Sequence, residues 1–368
     1  MNDSDYMRLA LEAASRGIGW TSPNPLVGAV LVKEGRIIGQ GWHAQCGGLH
    51  AERHALKSCT EDPAGATLYV TLEPCCHQGR QPPCTEAICS AAIRRVVVGS
   101  VDPNPLVAGR GVEILRSRGV EVETGVLRAE CDALNRVFFH YIRTRRPYVV
   151  MKYAMTLDGK IAAYTGASRW ITGEEARRRV HQDRHRYRGI LAGVGTVLAD
   201  DPLLTCRMEG GRDPVRIICD TQLRTPLSSR IVRTAGETET ILATCEKDAE
   251  RTAPYTAAGC RVWTLPARDG HVDLPVLMDR LGAAEIDGVL LEGGGTLNWS
   301  MLEAGLVRRV QAYIAPKLLG GGDAKSPVEG RGAAAPDLGA RLRDVTVTPL
   351  GEDFLLEGEV SEDVHGDR

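Results

Sequence analysis

The chain contains two successive alternations of strand-like apolar runs and helical stretches, separated by a polar, basic stretch at residues 143–146 and by Pro147. Strands that alternate with helices indicate an α/β sheet. At 368 residues the chain also exceeds the roughly 250–300 residues that one hydrophobic core usually serves. We therefore expect two α/β domains, one over residues 1–145 and one over residues 147–368.

Periodicity predicts the individual elements of both halves. In the first half we expect a helix over residues 3–15, further helices from near His50, Cys84 and Gly109, and strands at LVGAVLV, RIIGQG, ATLYVTL and RRVVVGS. In the second half we expect helices over residues 174–188 and 274–283, a flexible loop at 330–335, a closing antiparallel strand at FLLEGEV, and strands at PYVVMKYAM, GILAGV, VRIIC, TILAT, GVLLEG and VQAYIAP.

The charge balance argues against a polyanionic partner. The 45 basic and 47 acidic residues give a formal charge of −2, so there is no strong field to attract nucleic acid or anionic lipid. No run approaches the roughly 18 apolar residues of a membrane span, and the first residues lack the apolar core of a signal peptide. The cysteine count of eleven is odd, which favours reduced thiols. We expect a cytoplasmic homo-oligomer that acts on a small molecule, with no nucleic-acid or membrane partner.

A cluster of cysteines and histidines in the first half indicates a metal site. It contains the sequence HAE at residues 50–52 and PCCHQGRQPPC at residues 74–84, and it resembles the cytidine-deaminase-like zinc signature, in which one His and two Cys bind the metal. Three such ligands leave a coordination position for water, and the nearby Glu52 is suited to move its proton to a departing amine. We expect one zinc per chain, with His50, Cys75 and Cys84 as ligands and Glu52 as the acid/base.

Other interpretations of this cluster remain open from the sequence. Cys76 competes with Cys75, because spacing does not separate adjacent cysteines. His54, one helical turn after His50, is a possible fourth ligand. A closed structural zinc, or a set of buried thiols, would need no Glu52, and the presence of that carboxylate at the required offset favours a catalytic site.

The eight residues between the two ligand cysteines differ from the PCxxC of deaminases that act on nucleic acid. Together with TSPNPLVGAV and DPNPLVAGRG, the motif resembles the deaminase half of the bifunctional riboflavin-biosynthesis deaminase/reductase family. The resemblance implies a cytidine-deaminase-like three-layer domain that hydrolyses the ring amino group of diaminohydroxyphosphoribosylaminopyrimidine. It also implies that the ribotide is bound by Asn24, His43, His77, Arg80, Asp102 and Asn104. Simple turn chemistry is the alternative for the two asparagines, which are flanked by prolines.

In the second half, GVLLEGGGTLNWSML at residues 288–302 indicates a buried strand, a triple-glycine turn and a helix start. Such a turn lets a ligand approach the backbone, although a tight turn alone would need the same glycines. KYAMTLDGKIA, SRWIT and GVGTVLADDPLLTCR resemble the reductase half of the same family, which has a dihydrofolate-reductase-like α/β fold. The resemblance implies that NADPH is bound by Ala154, Trp170, Thr196, Asp200, Gly294, Gly295, Thr296, Leu297, Asn298, Trp299 and Ser300. It further implies that the substrate is bound by Ser168, Arg184, Leu204, Arg207 and Glu292.

Reduction of the ribose C1 needs a positioned hydride donor and a proton source. We expect Lys152 and Asp200 to be catalytic, with Glu292 as a further acid. A lysine on a strand is often a solvated surface charge, and Asp200 before Asp201 and Pro202 would also suit a turn. Thr156 stands where the family resemblance leads us to expect a serine, and it keeps the hydroxyl.

We therefore expect a bifunctional riboflavin-biosynthesis enzyme: a zinc-dependent deaminase, followed by an NADPH-dependent reductase that converts the ribosyl side chain to ribityl. One alternative is a deaminase of tRNA or free nucleosides fused to an unrelated oxidoreductase, which the charge and the cysteine spacing oppose. Another is a metal-stabilised regulatory module without turnover, which Glu52 opposes.

Overall fold

The computed structural model describes residues 1–78, 81–104 and 107–361. These residues form two compact units, divided between Arg145 and Arg146. Within the described ranges, no helix is both long enough and apolar enough to cross a membrane.

The first unit consists of six helices and five strands within the described residues. In chain order they are α1 Asp3–Ser15, β1 Gly28–Lys33, β2 Arg36–Trp42, α2 Ala51–Lys57, β3 Thr67–Leu72, α3 Cys84–Ser90, β4 Arg95–Ser100, α4 Arg110–Ser117, β5 Glu121–Thr124, α5 Arg128–Leu134 and α6 Arg136–Thr144.

One five-stranded sheet, in the order β2-β1-β3-β4-β5, organises the first unit. β1 is antiparallel to both of its neighbours, whereas β3, β4 and β5 are parallel. Alternate strand residues face opposite sides. One side packs against α1 and α5, and the other against α2, α3 and α4. Gly28 permits the close packing of α1, because a Cβ there would lie 1.9 Å from the Ala10 carbonyl oxygen.

The second unit contains the remaining elements. In chain order they are β6 Tyr148–Thr156, α7 Glu174–Arg186, β7 Gly189–Gly193, α8 Val194–Asp200, β8 Val215–Cys219, α9 Arg230–Arg233, β9 Thr240–Thr244, α10 Ala249–Ala257, β10 Arg261–Thr264, β11 Ala267–Arg268, β12 His271–Val272, α11 Leu274–Ala283, β13 Gly288–Leu291, α12 Gly295–Glu303, β14 Val307–Ala315, a 3₁₀ turn at Pro336–Leu338, β15 Leu342–Leu350 and β16 Asp353–Val360.

A nine-stranded sheet, in the order β10-β9-β8-β7-β13-β6-β14-β16-β15, forms the centre of the second unit. The seven strands from β10 to β14 are parallel, and β16 and β15 add to them in antiparallel orientation. α11 and α12 pack on one face, and α8, α9 and α10 on the other. β6, β7 and β13 are neighbours, so their carboxyl ends, where ligands bind in such sheets, lie together.

The predicted fold class is confirmed for both halves. The predicted helices at 3–15 and 274–283 match α1 and α11, and FLLEGEV is antiparallel as expected. It does not close the sheet, because β15 lies outside it. The helices and strands that were not predicted from the sequence are β5, α5 and α6 in the first half and α8, α9, α10, β10, β11, β12 and β15 in the second half. Residues 143 and 144 were predicted to lie in a linker, but they end α6, where Phe138 and Tyr141 are buried at helical spacing.

Candidate active sites

The three predicted zinc ligands converge in the first unit. The Nδ1 of His50 lies 3.4 Å from the Sγ of Cys75 and 3.4 Å from the Sγ of Cys84, and all three donor atoms lie within 4.8 Å of one another. A nitrogen and a sulfur bound to one tetrahedral zinc at about 2.1 and 2.3 Å would be about 3.6 Å apart. The donor set and its spacing therefore fit zinc.

Three short elements present these ligands. His50 directly precedes α2, Cys75 follows the carboxyl end of β3, and Cys84 is the first residue of α3. The backbone N–H of Cys84 donates to the Sγ of Cys75 at 3.4 Å. Hydrogen bonds from Cys84 and His50 hold the pKa of the Cys75 thiol well below its ordinary value. The arrangement thus stabilises the thiolate form that binds metal.

The structure separates the alternatives that the sequence left open. Among the described residues, the group of donors suited to a metal includes Cys75 but neither Cys76 nor His54. The Nδ1 of His54 donates to the Trp42 carbonyl oxygen at 2.9 Å, and its ring packs 4.8 Å from that of Trp42. His54 therefore stabilises the connection between β2 and α2.

Glu52 lies in the first turn of α2 beside the ligands and is only 4% exposed. Burial, followed by the negative charge of Cys75, raises the pKa of Glu52 to about 7. The carboxyl group also interacts with the thiol of Cys84. Its position is that of a group able to exchange protons with a molecule bound at the three ligands.

Polar residues predicted to bind substrate surround this centre. The Nε2 of His43 lies 3.1 Å from the amide nitrogen of Asn24, and its Nδ1 lies 2.9 Å from the Leu49 carbonyl oxygen. The Asn24 amide nitrogen donates to Nε2, and the Leu49 carbonyl oxygen accepts a hydrogen bond from Nδ1. His43 is therefore neutral, with its proton on Nδ1. The His43 and His50 rings are 5.6 Å apart, edge to face.

The connection after β4 supplies two more of the predicted substrate residues, Asp102 and Asn104. Asp102 is 8% exposed, and its carboxylate accepts the N–H of Asn104 at 2.8 Å. Burial raises the pKa of Asp102 to about 6. An electrostatic interaction with His77 opposes this rise in the pKa of Asp102. Arg80 lies outside the described residues.

Glu73 belongs to this site, although it was not predicted from the sequence. Its buried carboxylate accepts four backbone N–H groups: Asp102 at 3.2 Å and Gly109 at 2.9 Å on Oε2, and Gly111 at 2.9 Å and Val112 at 3.3 Å on Oε1. Glu73 thereby ties the end of β3, two residues before Cys75, to the connection that carries Asp102. The sequence signal that could have identified Glu73 is its position as a carboxylate between a buried strand and the first ligand cysteine.

A cavity of about 340 Å³ lies in the second unit, at the carboxyl ends of β7 and β13 and beside β6. The predicted residues that line it are Lys152, Ala154, Ser168, Trp170, Arg184, Thr196, Asp200, Leu204, Arg207, Glu292 and Gly294. The lining residues that were not predicted from the sequence include four basic ones, Arg169, Arg177, His181 and Arg230.

A buried ionic group occupies one wall of this cavity. Arg184 binds Glu292 through two hydrogen bonds of 2.7 and 2.9 Å, and the Nζ of Lys152 lies 3.7 Å from Glu292. Burial would raise the pKa of Glu292, but the charges of Arg184 and Lys152 outweigh it and lower the pKa to about 2. Glu292 is therefore ionised and holds Lys152 at the cavity, so Lys152 is not a solvated surface charge.

Asp200 also lines the cavity, and its carboxylate accepts a hydrogen bond from the hydroxyl of Ser168 at 3.1 Å. Its carbonyl oxygen accepts a hydrogen bond from Arg169 at 2.9 Å. Arg207 has a lowered pKa because of burial and then the charges of Arg184, Arg230 and Arg169. This accumulation of positive charge suits an anionic ligand.

The glycine turn leads into α12, as predicted, but the side chains beyond it do not face the cavity. Of the described positions 294–300, only Gly294 lines it. Leu297 packs against the core, and the buried Asn298 donates to the Pro327 carbonyl oxygen at 2.8 Å. A cofactor would therefore meet this segment through the backbone N–H groups at the start of α12.

Both units match known protein families. Residues 147–356 match the model of the RibD C-terminal domain, and residues 1–100 match the cytidine and deoxycytidylate deaminase zinc-binding region. The chain is 54% identical to riboflavin biosynthesis protein RibD of Actinobacillus pleuropneumoniae, over 97% of this chain and 95% of that protein. It is 44% identical to RibD of Escherichia coli, over 87% of this chain and 89% of that one.

Solved structures give the same result. Acinetobacter baumannii RibD, form 1, has a TM-score of 0.87 at 36% identity and covers 98% of this chain and 99% of its own. The diaminohydroxyphosphoribosylaminopyrimidine deaminase/5-amino-6-(5-phosphoribosylamino)uracil reductase of Thermotoga maritima has a TM-score of 0.85 at 38% identity, with coverage of 98% and 99%.

Proposed function

The chain belongs to the RibD family of bifunctional riboflavin-biosynthesis enzymes, and on that premise we propose the substrates and residue roles of its two activities. Residues 1–145 deaminate diaminohydroxyphosphoribosylaminopyrimidine, and residues 147–368 reduce the resulting 5-amino-6-(5-phosphoribosylamino)uracil with NADPH. The observation that carries this proposal is the convergence of His50, Cys75 and Cys84 beside Glu52, in one chain with the cavity around Lys152.

In the deaminase unit, His50, Cys75 and Cys84 hold zinc. When bound there, zinc would supply the Lewis acidity that makes a water molecule nucleophilic. Glu52 accepts a proton from the water and delivers it to the amine, which leaves as ammonia. Asn24 and neutral His43 bind the pyrimidine from one side, and Asp102, Asn104, His77 and Arg80 bind the ribotide from the connections after β3 and β4.

In the reductase unit, the reaction adds hydride to the ribose C1 and a proton to the ring oxygen as the ring opens. NADPH supplies the hydride when bound. Ala154, Trp170, Thr196, Asp200 and Gly294 bind the cofactor, together with the backbone N–H groups of residues 295–297 at the start of α12. The N–H of Asn298 already donates to the Gly294 carbonyl oxygen, so residues 298–300 support this turn rather than donate to the cofactor. Ser168, Arg184, Leu204, Arg207 and Glu292 bind the substrate. Lys152, held by Glu292, and Asp200 supply and position the proton.

We also propose that the protein is a homo-oligomer that works in the cytoplasm. β15 lies at the edge of the nine-stranded sheet, and it is exposed along most of its length, with Val345 and Val347 48% and 59% exposed. An exposed edge with apolar side chains favours pairing with another chain. Sedimentation of the purified protein as a monomer at micromolar concentration would contradict the oligomer.

The eleven cysteines form no disulfide, which agrees with a reducing compartment.

One experiment tests the activities together. The purified, zinc-loaded protein is given the pyrimidine ribotide, and ammonia is measured before and after addition of NADPH. We expect ammonia without reductant, and NADPH oxidation in step with a ribityl product when reductant is present. No ammonia from this ribotide, but deamination of tRNA or of a free nucleoside, would contradict the proposed substrate. Equal turnover with NADH would contradict the preference for NADPH.

A further inference from the structure

We propose that His181 is a further substrate-binding residue of the reductase site, where its Nε2–H donates a hydrogen bond to an oxygen atom of the ribotide. The inference rests on the proposed reductase function and extends it to a residue outside the motifs of the sequence analysis. His181 lies on α7, one helical turn before Arg184, and both side chains line the cavity. Residues three positions apart share one face of a helix, which explains why both side chains reach this cavity.

A backbone contact fixes the orientation of the His181 ring. The N–H of Arg207 donates to the Nδ1 of His181 at 3.3 Å. A backbone N–H can only donate, so Nδ1 must be the unprotonated nitrogen of the ring, and the proton of the neutral ring is on Nε2. The same contact links α7 to the loop that carries Leu204 and Arg207. The ring is therefore a donor whose direction is set before substrate binds.

The surrounding charges keep this ring neutral. Burial, followed by the positive charges of Arg184 and Arg207, lowers the pKa of His181 to about 4, against an opposing effect of Glu292. Lys152 lowers it further. A neutral donor beside several cations adds directional recognition without more positive charge. The ligand chemistry it fits is an oxygen acceptor, such as a hydroxyl, a carbonyl or a phosphate oxygen of the ribotide.

The same helix contains a matched control. His185 lies one turn after His181, and its Nδ1 also accepts a backbone N–H, from Arg212, at 2.9 Å. His185 is only 8% exposed and does not belong to the cavity lining among the described residues. The two histidines thus share a helix and a backbone contact, and they differ in whether they reach the cavity.

The test uses the full-length holoenzyme with His181→Asn, His181→Gln and His185→Asn. The amide oxygen of Asn can replace the Nδ1 acceptor, but Asn lacks a donor at the Nε2 position, whereas the longer Gln restores a donor there. We expect His181→Asn to raise the reductase KM for the ribotide roughly tenfold, with kcat changed less than about twofold, as for loss of one hydrogen bond made equally in ground and transition states. His181→Gln should recover part of the loss, and His185→Asn should leave the KM unchanged.

Ammonia release in the same proteins reports on the integrity of the chain, since we expect all three variants to deaminate at the parent rate. An unchanged KM in His181→Asn, an equal rise in His185→Asn, or a His181→Gln variant no better than His181→Asn would overturn the inference. If His181→Asn does not fold, the comparison of His181→Gln with the parent decides the question, because a KM more than tenfold above the parent's would overturn the donor role. Absence of reduction by the parent protein would overturn the proposed reductase function itself, and this inference with it.

Discussion

The carboxylate of Glu73 provides a sharp test of how the deaminase site is held together. Two backbone N–H groups bind each of its oxygens, and all four come from the segment between β4 and the first turn of α4. Glu73→Gln keeps the size of the side chain but turns one acceptor oxygen into an NH₂ group. Two of the four buried N–H groups then lose their acceptor, whichever way the amide is oriented.

The free-energy cost of Glu73→Gln follows from the hydrogen bonds that the substitution removes. An unsatisfied buried N–H costs about 1–3 kcal/mol, so two of them cost about 2–6 kcal/mol if the segment stays in place. We expect the segment to shift instead, which displaces Asp102 and Asn104 and lowers kcat/KM for ammonia release at least tenfold. Zinc should remain bound, because Glu73 does not contact the three donor atoms.

The assay measures ammonia release, zinc content and NADPH oxidation on the same purified protein. Glu86→Gln is the matched control, since Glu86 is an exposed glutamate in the first turn of α3. It should change none of the three. NADPH oxidation with the deaminated ribotide should stay at the parent rate in both variants. Parent-like deamination by Glu73→Gln would show that Glu73 does not hold the site in place, and so would an equal loss in Glu86→Gln.

Two further predictions concern the metal ligands and the ionic group of the reductase cavity. Replacing Cys75 or Cys84 with Ser should remove most of the zinc, whereas Cys76→Ser should retain it, and elemental analysis that shows the reverse would make the assignment wrong. Glu292→Gln should lower the free energy of unfolding of the second unit by about 3 kcal/mol at pH 7, because the pKa of Glu292 falls from 4.5 to about 2 on folding. That stabilisation is present above about pH 4.5 and is lost as the pH falls toward 2, so an equal difference between the variants at pH 7 and pH 3 in urea unfolding would contradict it.

Much of the deaminase centre could be predicted because its residues lie in compact local motifs. The sequence HAE places His50 and Glu52 at a helix start, and that geometry follows from local periodicity. The choice between Cys75 and Cys76 could not be made from spacing. In the described part of the chain, the donor atoms that lie together include that of Cys75 and not that of Cys76, which is a three-dimensional property that spacing does not carry.

The reductase cavity shows the limits of the same approach. Glycines 293–295 indicated the turn before α12, yet the directions of Leu297 and Asn298 depend on their packing against the core and the Pro327 segment, which are distant in sequence. The helix that contains His181 was predicted from the sequence, but no motif identified His181 itself. Its role depends on the long-range contact with Arg207.

If the two units carry out separate reactions, one substitution in each unit should remove one activity and spare the other. Glu52→Ala should retain zinc and lose ammonia release by about 10²–10⁴-fold, the range typical of a positioned acid/base, while still oxidising NADPH at the parent rate with the deaminated ribotide. Lys152→Ala should release ammonia normally and accumulate the deaminated ribotide without oxidising NADPH. Loss of both reactions in a folded, zinc-loaded Glu52→Ala protein would contradict the account, because it would require one shared site.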